Sequence, residues 1–310
     1  MVLGGAGFLG SHLCERLLAD GAESVVAVDS LITGADRNLE PLKLERRFDF
    51  LRHDIALPMN VPGPVDYVFN LASPASPLDY EEHWLQTMHA GSRGTEHGLM
   101  LAEAKRAVFL QASTSEVYGD PLVHPQPETY LGNVDCNGPR AVYDEAKRYG
   151  EALVMAFRRK RKVSTRIVRI FNTYGPRMRL DDGRVVPAFV AQALRGEDLT
   201  VFGDGSQTRC FCYVDDLVDG LVRLALSDVA DPVNIGSTDE RTMRELAEAV
   251  RVAAGGRGKL VFRPLPHGDP KVRRPDLTRA TTLLGWAPKV PLAEGLARTI
   301  AFFRTVVPAR

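Results

Sequence analysis

The chain has 310 residues, 45% hydrophobic and 25% charged, which supports a large core in one elaborated unit or in two unequal lobes. Lys plus Arg equals Asp plus Glu at 39 each, so net charge gives no argument for a nucleic-acid or membrane partner. No run of about eighteen apolar residues occurs, and no charged n-region with an apolar core is seen at the start, so neither a membrane span nor a secretory leader is expected.

The first strand has only Met1-Val2-Leu3 before the glycines, so either the natural chain begins upstream or this strand is short. Gly4, Gly7 and Gly10 then lead into an apolar-periodic stretch, Ser11 to Asp20, that reads as a helix. Val25-Val26-Ala27-Val28-Asp29 follows, a β-branched run ending in a carboxylate nineteen residues past Gly10. A glycine triplet alone is weak evidence. With strand, helix, strand and acid in register it predicts a dinucleotide site. The glycines admit a pyrophosphate to backbone N–H groups, the helix dipole faces it, and the acid accepts from a ribose diol. Asp29 would repel a 2′-phosphate, so NAD is expected rather than NADP.

Tyr67-Val68-Phe69 is a short strand ending in Asn70-Leu71-Ala72-Ser73, and His83 to Lys105 reads as a long helix despite Gly91 and Gly94. Val108-Phe109-Leu110 runs into Ala112-Ser113-Thr114-Ser115, Tyr143 to Arg159 is helical, and Thr165 to Phe171 is the next strand. The basic run Arg158 to Lys162 is a solvated helix end, where cations suit the dipole. This alternation predicts an α/β chain with a Rossmann-type doubly wound parallel sheet and a smaller, loop-rich C-terminal substrate lobe. Residues 1–172 form the expected cofactor-binding domain and 173–310 mainly the second lobe, with later segments returning to the first. Ser73, Thr114 and Asn172 fall at strand ends, on the sheet edge where ligands bind. In the second half, loops rich in Gly, Pro and Arg appear at Tyr174 to Arg177, Phe202 to Arg209 and Pro264 to Pro275. The four cysteines, at 14, 136, 210 and 212, make no Cys-x-x-Cys pair and read as reduced thiols of a cytoplasmic protein. Cys210 and Cys212 alternate along a strand and read as packing residues.

Tyr143 and Lys147 stand one helical turn apart on one face. A cation near a phenol lowers its pKa, and such a phenolate can take a proton from a sugar hydroxyl as hydride leaves the same carbon. Alone, the pair is more often an ordinary surface Tyr and Lys. Thr114, at a strand end upstream, strengthens it by sharing the substrate hydroxyl. Together these residues resemble the extended short-chain dehydrogenase/reductase superfamily. Asn70 to Pro77, Ser113 to Asp120, Gly138 to Glu145, Phe171 to Met178, Asp182-Gly183-Arg184, Gly205 to Arg209, Arg273 to Asp276 and Leu284-Gly285-Trp286 resemble the UDP-glucuronate decarboxylases more narrowly, over essentially the whole chain.

That resemblance implies a cycle. NAD+ takes hydride from C4 of UDP-glucuronate while Tyr143 takes the O4 proton. The β-keto acid loses CO2, C5 is protonated, and hydride returns to C4 to give UDP-xylose. It implies Thr114, Glu116, Tyr143, Lys147 and Arg273 as catalytic residues, with Arg273 meeting the substrate carboxylate; the Arg-rich surroundings leave its register open by one, to Arg274. Implied cofactor contacts beyond the glycines and Asp29 are Phe8, Leu9, Ser30, Thr33, Gly34, Asp54, Ile55, Leu71, Ser73, Thr173 and Arg184, with Tyr143 and Lys147. Implied substrate contacts are Tyr80, His89, Ser115, Asn172, Val201, Phe202, Gln207 and Arg209, with Arg273. No metal is implied. The family pairs two long helices per subunit, so a homodimer is expected through His83–Lys105 and Tyr143–Arg159.

Ser115-Glu116 stands where the related 4,6-dehydratases carry an Asp-Glu pair, and the 4-epimerases generally lack the Glu. Those two activities, and a non-catalytic NAD sensor on the same fold, are the alternatives. His89 replaces a Lys common in relatives, Asp135-Cys136-Asn137 departs from a more apolar step, and Leu3 replaces a common Thr. A shorter, often neutral His facing the sugar would hold the keto intermediate loosely, so some UDP-4-keto-pentose is expected to escape.

Overall fold

The computed structural model describes residues 1–181, 183–264 and 272–307. Asp182 and most of the loop between Pro264 and Pro275 therefore lie outside the described residues. Val2–Leu3 (β1), Val25–Asp29 (β2), Phe48–Arg52 (β3), Tyr67–Asn70 (β4), Val108–Thr114 (β5) and Thr165–Ile170 (β6) join Val233–Ile235 in one seven-stranded sheet. From one edge the order is Val233–Ile235, β6, β5, β4, β1, β2, β3, and every pairing is parallel. The central strands are apolar on both sides because helices cover both faces. On one face Leu13, Cys14 and Leu18 of the first helix, Phe8–Ala19, share a core with Leu217 and Leu221 of the helix Val214–Leu226. On the other, Leu99 and Ala102 of Thr95–Lys105 and Val154 and Phe157 of Ala141–Arg161 pack on Leu3, Val68, Phe109 and Ile167.

The chain leaves β1 toward β2 on one side and later fills β4 on the other. The crevice between those two directions opens at the carboxyl ends of the strands, and that is where such folds bind ligands. Gly4 adopts φ +79° at the end of β1, a conformation that favours glycine, and a Cβ there would lie 2.8 Å from the Ala72 backbone.

Two strands of this sheet have no counterpart in the sequence reading, which expects later segments to return to the first domain without locating them. β3 shows weak alternation and is half-exposed. Val233–Ile235 carries the chain back to the sheet beside β6 long after residue 172, so the first layer is not contiguous in sequence. The expected helix 83–105 is three pieces: Trp84–His89, a π-turn over Ala90–Gly94, and Thr95–Lys105. Its glycines are points of close approach. A Cβ on Gly91 would lie 2.6 Å from the Ala146 carbonyl, and one on Gly94 2.4 Å from Ile55.

Ala141–Arg161 is registered on the sheet by a partly buried ion pair. Arg169 of β6 donates to both Glu151 oxygens at 2.9 and 2.8 Å, and Ser113 Oγ of β5 donates to the same carboxylate at 2.6 Å. Since Tyr143 and Lys147 lie two turns and one turn before Glu151, this clamp sets their height against Thr114. The second lobe is built from short pairs: Leu260–Arg263 on Leu199–Phe202, Glu240–Thr242 on Thr208–Cys210, and Cys212–Tyr213 on Thr173–Tyr174. Trp286, 1% exposed, ties its C-terminal segment down by donating to the Asp216 carbonyl at 3.0 Å.

Candidate active site

Two adjoining cavities open at the strand ends, one of about 80 Å³ and one of about 550 Å³. Gly4, Gly7, Asp29, Ser30, Thr33, Gly34, Asp54 and Ile55 line the smaller, and Leu71 and Ser73 line both. Asp29 is 9% exposed and accepts from Ala6 N at 3.0 Å and Leu31 N at 2.8 Å. Burial pushes its carboxyl above the ordinary value, and those two N–H groups with that of Gly7 pull it back. A Cβ on Gly34 would sit 2.8 Å from both Asp29 oxygens, so glycine keeps the approach to the carboxylate clear. Gly7 meets only Gly4 O, at 3.1 Å, which leaves its outer side open to a phosphate. These features fit a dinucleotide with a free ribose diol. Gly10 is a correction: it lines neither cavity. A Cβ there would lie 2.1 Å from Gly4 O, so its role is to let the helix start pack on the turn.

Phe8, Leu9, Thr173 and Arg184 line the larger cavity, where they border the cofactor end. Thr114, Ser115, Glu116, Tyr143, Lys147, Tyr80, Asn172 and Arg273 line the same cavity, as do Phe202, Gln207 and Arg209. Val201 is a second correction. In Leu199–Phe202 the side chains of Leu199 and Val201 are buried in the lobe core, and Thr200 and Phe202 face the cavity instead. A one-residue slip in phase exchanges the faces of a strand. His89 is a third. It lines neither cavity; Gln86 and Ala90 face the smaller one, and His89 is turned about 100° from Ala90 around the helix axis. The expected escape of keto sugar rested on His89 reaching the substrate, and this placement removes that footing.

Lys147 is 5% exposed, and its Nζ donates to the Ala112 carbonyl of β5 at 2.9 Å while lying 5.6 Å from the Tyr143 ring centre. Burial draws the ammonium down to about 8. Tyr143 stacks on Tyr80, with ring centres 5.3 Å apart and planes 12° from parallel. Its phenol is not lowered as the sequence suggested. Burial first, then the Glu116 carboxylate, raise it above its ordinary value, against a hydrogen bond with Thr114 and the charge of Arg184. The physical reason is burial of the phenol, to which the nearby carboxylate adds, while the Lys147 ammonium is tied to a carbonyl on the sheet. Tyr80 itself is held in place from the helix Pro77–Glu82, where Asp79 pairs with Arg179 at 2.7 Å.

Arg273 and Arg274 separate cleanly. Gln126 N donates to Arg274 O at 2.9 Å, Asp276 N to Gln126 O at 2.9 Å, and Arg274 N to Gln126 Oε1 at 2.8 Å. This pins the segment in the one phase that turns Arg273 inward. Its Nη2 donates to Glu116 Oε2 at 2.9 Å and its Nη1 to Oε1, a bidentate pair, while the Arg274 side chain faces Glu240 at 3.6 Å. Burial opposes ionisation of Glu116, and Arg273 and Arg140 outweigh it, holding the carboxyl at about 2. Sequence reasoning missed Arg140, which lines the cavity and meets Glu116 Oε2 at 2.6 Å. It missed Asp144 too, 5% exposed, whose carboxyl burial and then Glu116 push up to about 7. The GPR string before Tyr143 held Arg140 in plain sight, but nothing local ties it to a residue 24 positions upstream.

The family model "NAD dependent epimerase/dehydratase family" matches residues 1–236. UDP-glucuronic acid decarboxylase 1 of Danio rerio is 48% identical over 303 residues, spanning 98% of this chain and 72% of that protein. The chain belongs to the NAD dependent epimerase/dehydratase family, on its UDP-glucuronic acid decarboxylase branch. UDP-glucuronic acid decarboxylase 4 of Arabidopsis thaliana is 50% identical, spanning 98% of this chain and 68% of its own. Among solved structures, the UDP-glucuronic acid 4-epimerase from Bacillus cereus in complex with UDP-glucuronic acid and NAD superposes with a TM-score of 0.88 at 29% identity, covering 98% of each chain. The branch assignment agrees with the resemblance read from the motifs.

Proposed function

We propose that this chain converts UDP-glucuronate to UDP-xylose and CO2 through a 4-keto sugar, with NAD as its resident cofactor. One observation carries the reading within the family: the inward, buried Arg273 guanidinium lines the same cavity as Thr114 and Tyr143. A hydroxyl at the phenol and a carboxylate at the guanidinium are the two ends of a glucuronate C4–C6 unit. Gly4, Gly7, Asp29 and Gly34 would hold NAD, and when bound it accepts the C4 hydride and later returns it. Tyr143 Oη takes the O4 proton and Thr114 Oγ1 shares that hydroxyl. Lys147 fixes the phenol's surroundings from Ala112. Arg273 orients the sugar carboxylate so that the bond to be broken stands beside the C4 carbonyl. Ser115, in place of an acid, leaves the C6 side without a proton donor for hydroxyl loss. Incubating the purified protein with UDP-glucuronate and NAD+ should give CO2 and a pentose nucleotide by mass. Unchanged mass with an inverted C4 would make it a 4-epimerase.

We also infer a homodimer and a reducing, cytoplasmic setting. Trp84, Leu85 and Met88 are exposed on one helix and Tyr149 on the neighbouring Ala141–Arg161, an apolar surface that a second copy would cover. All four cysteines are unpaired, in keeping with a reducing compartment. No helix among the described residues is long and apolar enough to cross a membrane. Light scattering should give about twice the 34.1 kDa chain mass. A single-chain mass at micromolar protein would remove the dimer.

A further inference from the structure

Glu116 sits between two guanidiniums that are not equivalent. Arg273 chelates it through both Nη atoms, and Arg140 touches only Oε2, at 2.6 Å. The Arg273 side chain is 5% exposed, Glu116 13% and Arg140 24%. Two cations face Glu116, and Asp144, whose carboxyl is pushed toward its neutral form beside it, does not fully offset the second. Positive charge is left in a largely buried cluster where Nε of Arg273 and Nε of Arg140 are buried donors with no partner. Surplus charge and orphaned donors in one pocket call for a second anion.

The two arginines are anchored differently. Arg273 projects from a separate C-terminal segment. Arg140 belongs to the start of the catalytic helix: its carbonyl accepts from Tyr143 N and Asp144 N, both at 3.1 Å. It therefore keeps its place relative to the phenol whatever Arg273 does.

We infer that Arg140 is a positioning residue for the decarboxylation: it keeps Glu116 in place and ionised when Arg273 turns from Glu116 to the sugar carboxylate. The inference rests on the UDP-glucuronate reading above. With both arginines present there is one guanidinium for each carboxylate. With Arg273 alone, two carboxylates compete for one fork, and the loser is left buried with a charge it must shed or repel its neighbour. The other groups facing Glu116 cannot replace Arg140. Tyr80 comes from the helix Pro77–Glu82, and Tyr143 and Asp144 from Ala141–Arg161; two are neutral phenols and the third is a carboxyl whose Oδ1 has no partner. Asp144 resists ionisation because it is buried and lies beside Glu116, and Arg140, ahead of Arg273, is the cation that most opposes that resistance, so loss of Arg140 drives both carboxyls toward their protonated forms.

The test is a binding cycle in NAD-loaded Tyr143→Phe protein, where turnover is blocked, together with kinetics in the otherwise unmodified enzyme. Arg140→Gln should weaken UDP-glucuronate binding about tenfold while changing UDP binding less than about threefold. In a Glu116→Gln background the same change should cost less than about threefold, because there is then no second carboxylate to hold. In the kinetic arm, Arg140→Gln should move the acidic limb of the kcat profile up by about one pH unit, since a carboxylate that has lost its cation protonates more easily. Arg140→Lys should recover part of each effect, and it keeps the test readable should the Gln variant fail to fold; NAD retention and melting temperature report folding. An unmoved pH limb with unchanged UDP-glucuronate binding, or an equal loss with and without Glu116, overturns the inference. Absence of CO2 from the unmodified enzyme overturns the decarboxylase reading instead, and the assignment of Arg140 falls with it.

Discussion

Tyr143→Phe is expected to lose about 10²- to 10⁴-fold in turnover of UDP-glucuronate, the usual range for removing a general acid–base group, and to keep both fold and NAD. The substitution deletes one oxygen. The ring remains stacked on Tyr80 at 5.3 Å, the Lys147 ammonium remains on the Ala112 carbonyl, and the Glu151 clamp that registers the helix is untouched. The contacts of Asp29 and Gly34 lie in the other cavity, so cofactor affinity should stay within about threefold. The raised phenol sharpens the expectation for pH. Burial and the Glu116 anion make Tyr143 a reluctant phenolate, so turnover should go on rising with pH above the limb set by the carboxylates, as the base form becomes available. The Phe variant should lack that rise in its residual rate. Single-turnover absorbance of reduced cofactor separates loss of C4 oxidation from loss of a later step. Near-normal turnover in the Phe variant would remove Tyr143 from the chemistry.

Much of this site is legible in the sequence because its information is local. The turn after β1 needs a positive φ at Gly4 and close contact at Gly10, and both demands fall within ten residues. Asp29 ends a five-residue strand, Val25–Asp29, whose apolar run is buried at four of its five positions. Tyr143 and Lys147 share a face by helical period alone. What stays hidden depends on phase or on distance along the chain. Val201 and Thr200 have equal claims until the strand Leu199–Phe202 is laid on Leu260–Arg263, which sends Val201 into the core. His89 precedes a π-turn, and the Gly91 and Gly94 contacts, not the helical period, decide how that helix faces the cavity. Gly5 gives a similar case: a Cβ there would lie 2.5 Å from the Ala27 Cβ, a packing demand that no glycine motif announces. The return of Val233–Ile235 beside β6 comes from a three-residue strand, too short for its own pattern to reveal. The cluster of Arg140, Glu116, Asp144 and Arg273 joins three stretches of chain, and its charges have meaning only once burial brings them together.

Arg273→Ala is expected to weaken UDP-glucuronate by about 10²-fold or more while leaving UDP within about threefold, because truncating one partner of a buried charged pair costs about 2–5 kcal/mol. Phe202, Gln207 and Arg209 line the same cavity and are the expected nucleotide contacts, whereas the Arg273 side chain donates to Glu116. The scaffold should survive. Gln126 holds this segment through the Arg274 and Asp276 backbones, not through the Arg273 side chain. Glu116 also keeps a counter-ion, since Arg140 stays at 2.6 Å. The variant pocket is then neutral where it had carried a surplus cation, and a sugar carboxylate entering it meets Glu116 with no guanidinium to spare. The loss should therefore persist across the pH range in which both carboxylates are charged, and shrink for UDP-glucose, which has a hydroxymethyl group in place of the carboxylate. Arg273→Lys should recover only part of the affinity, because an ammonium cannot chelate both oxygens of a carboxylate. Calorimetry with UDP, UDP-glucose and UDP-glucuronate measures the three effects side by side. Equal weakening of all three would make Arg273 a phosphate or scaffold residue and leave the carboxylate without a partner.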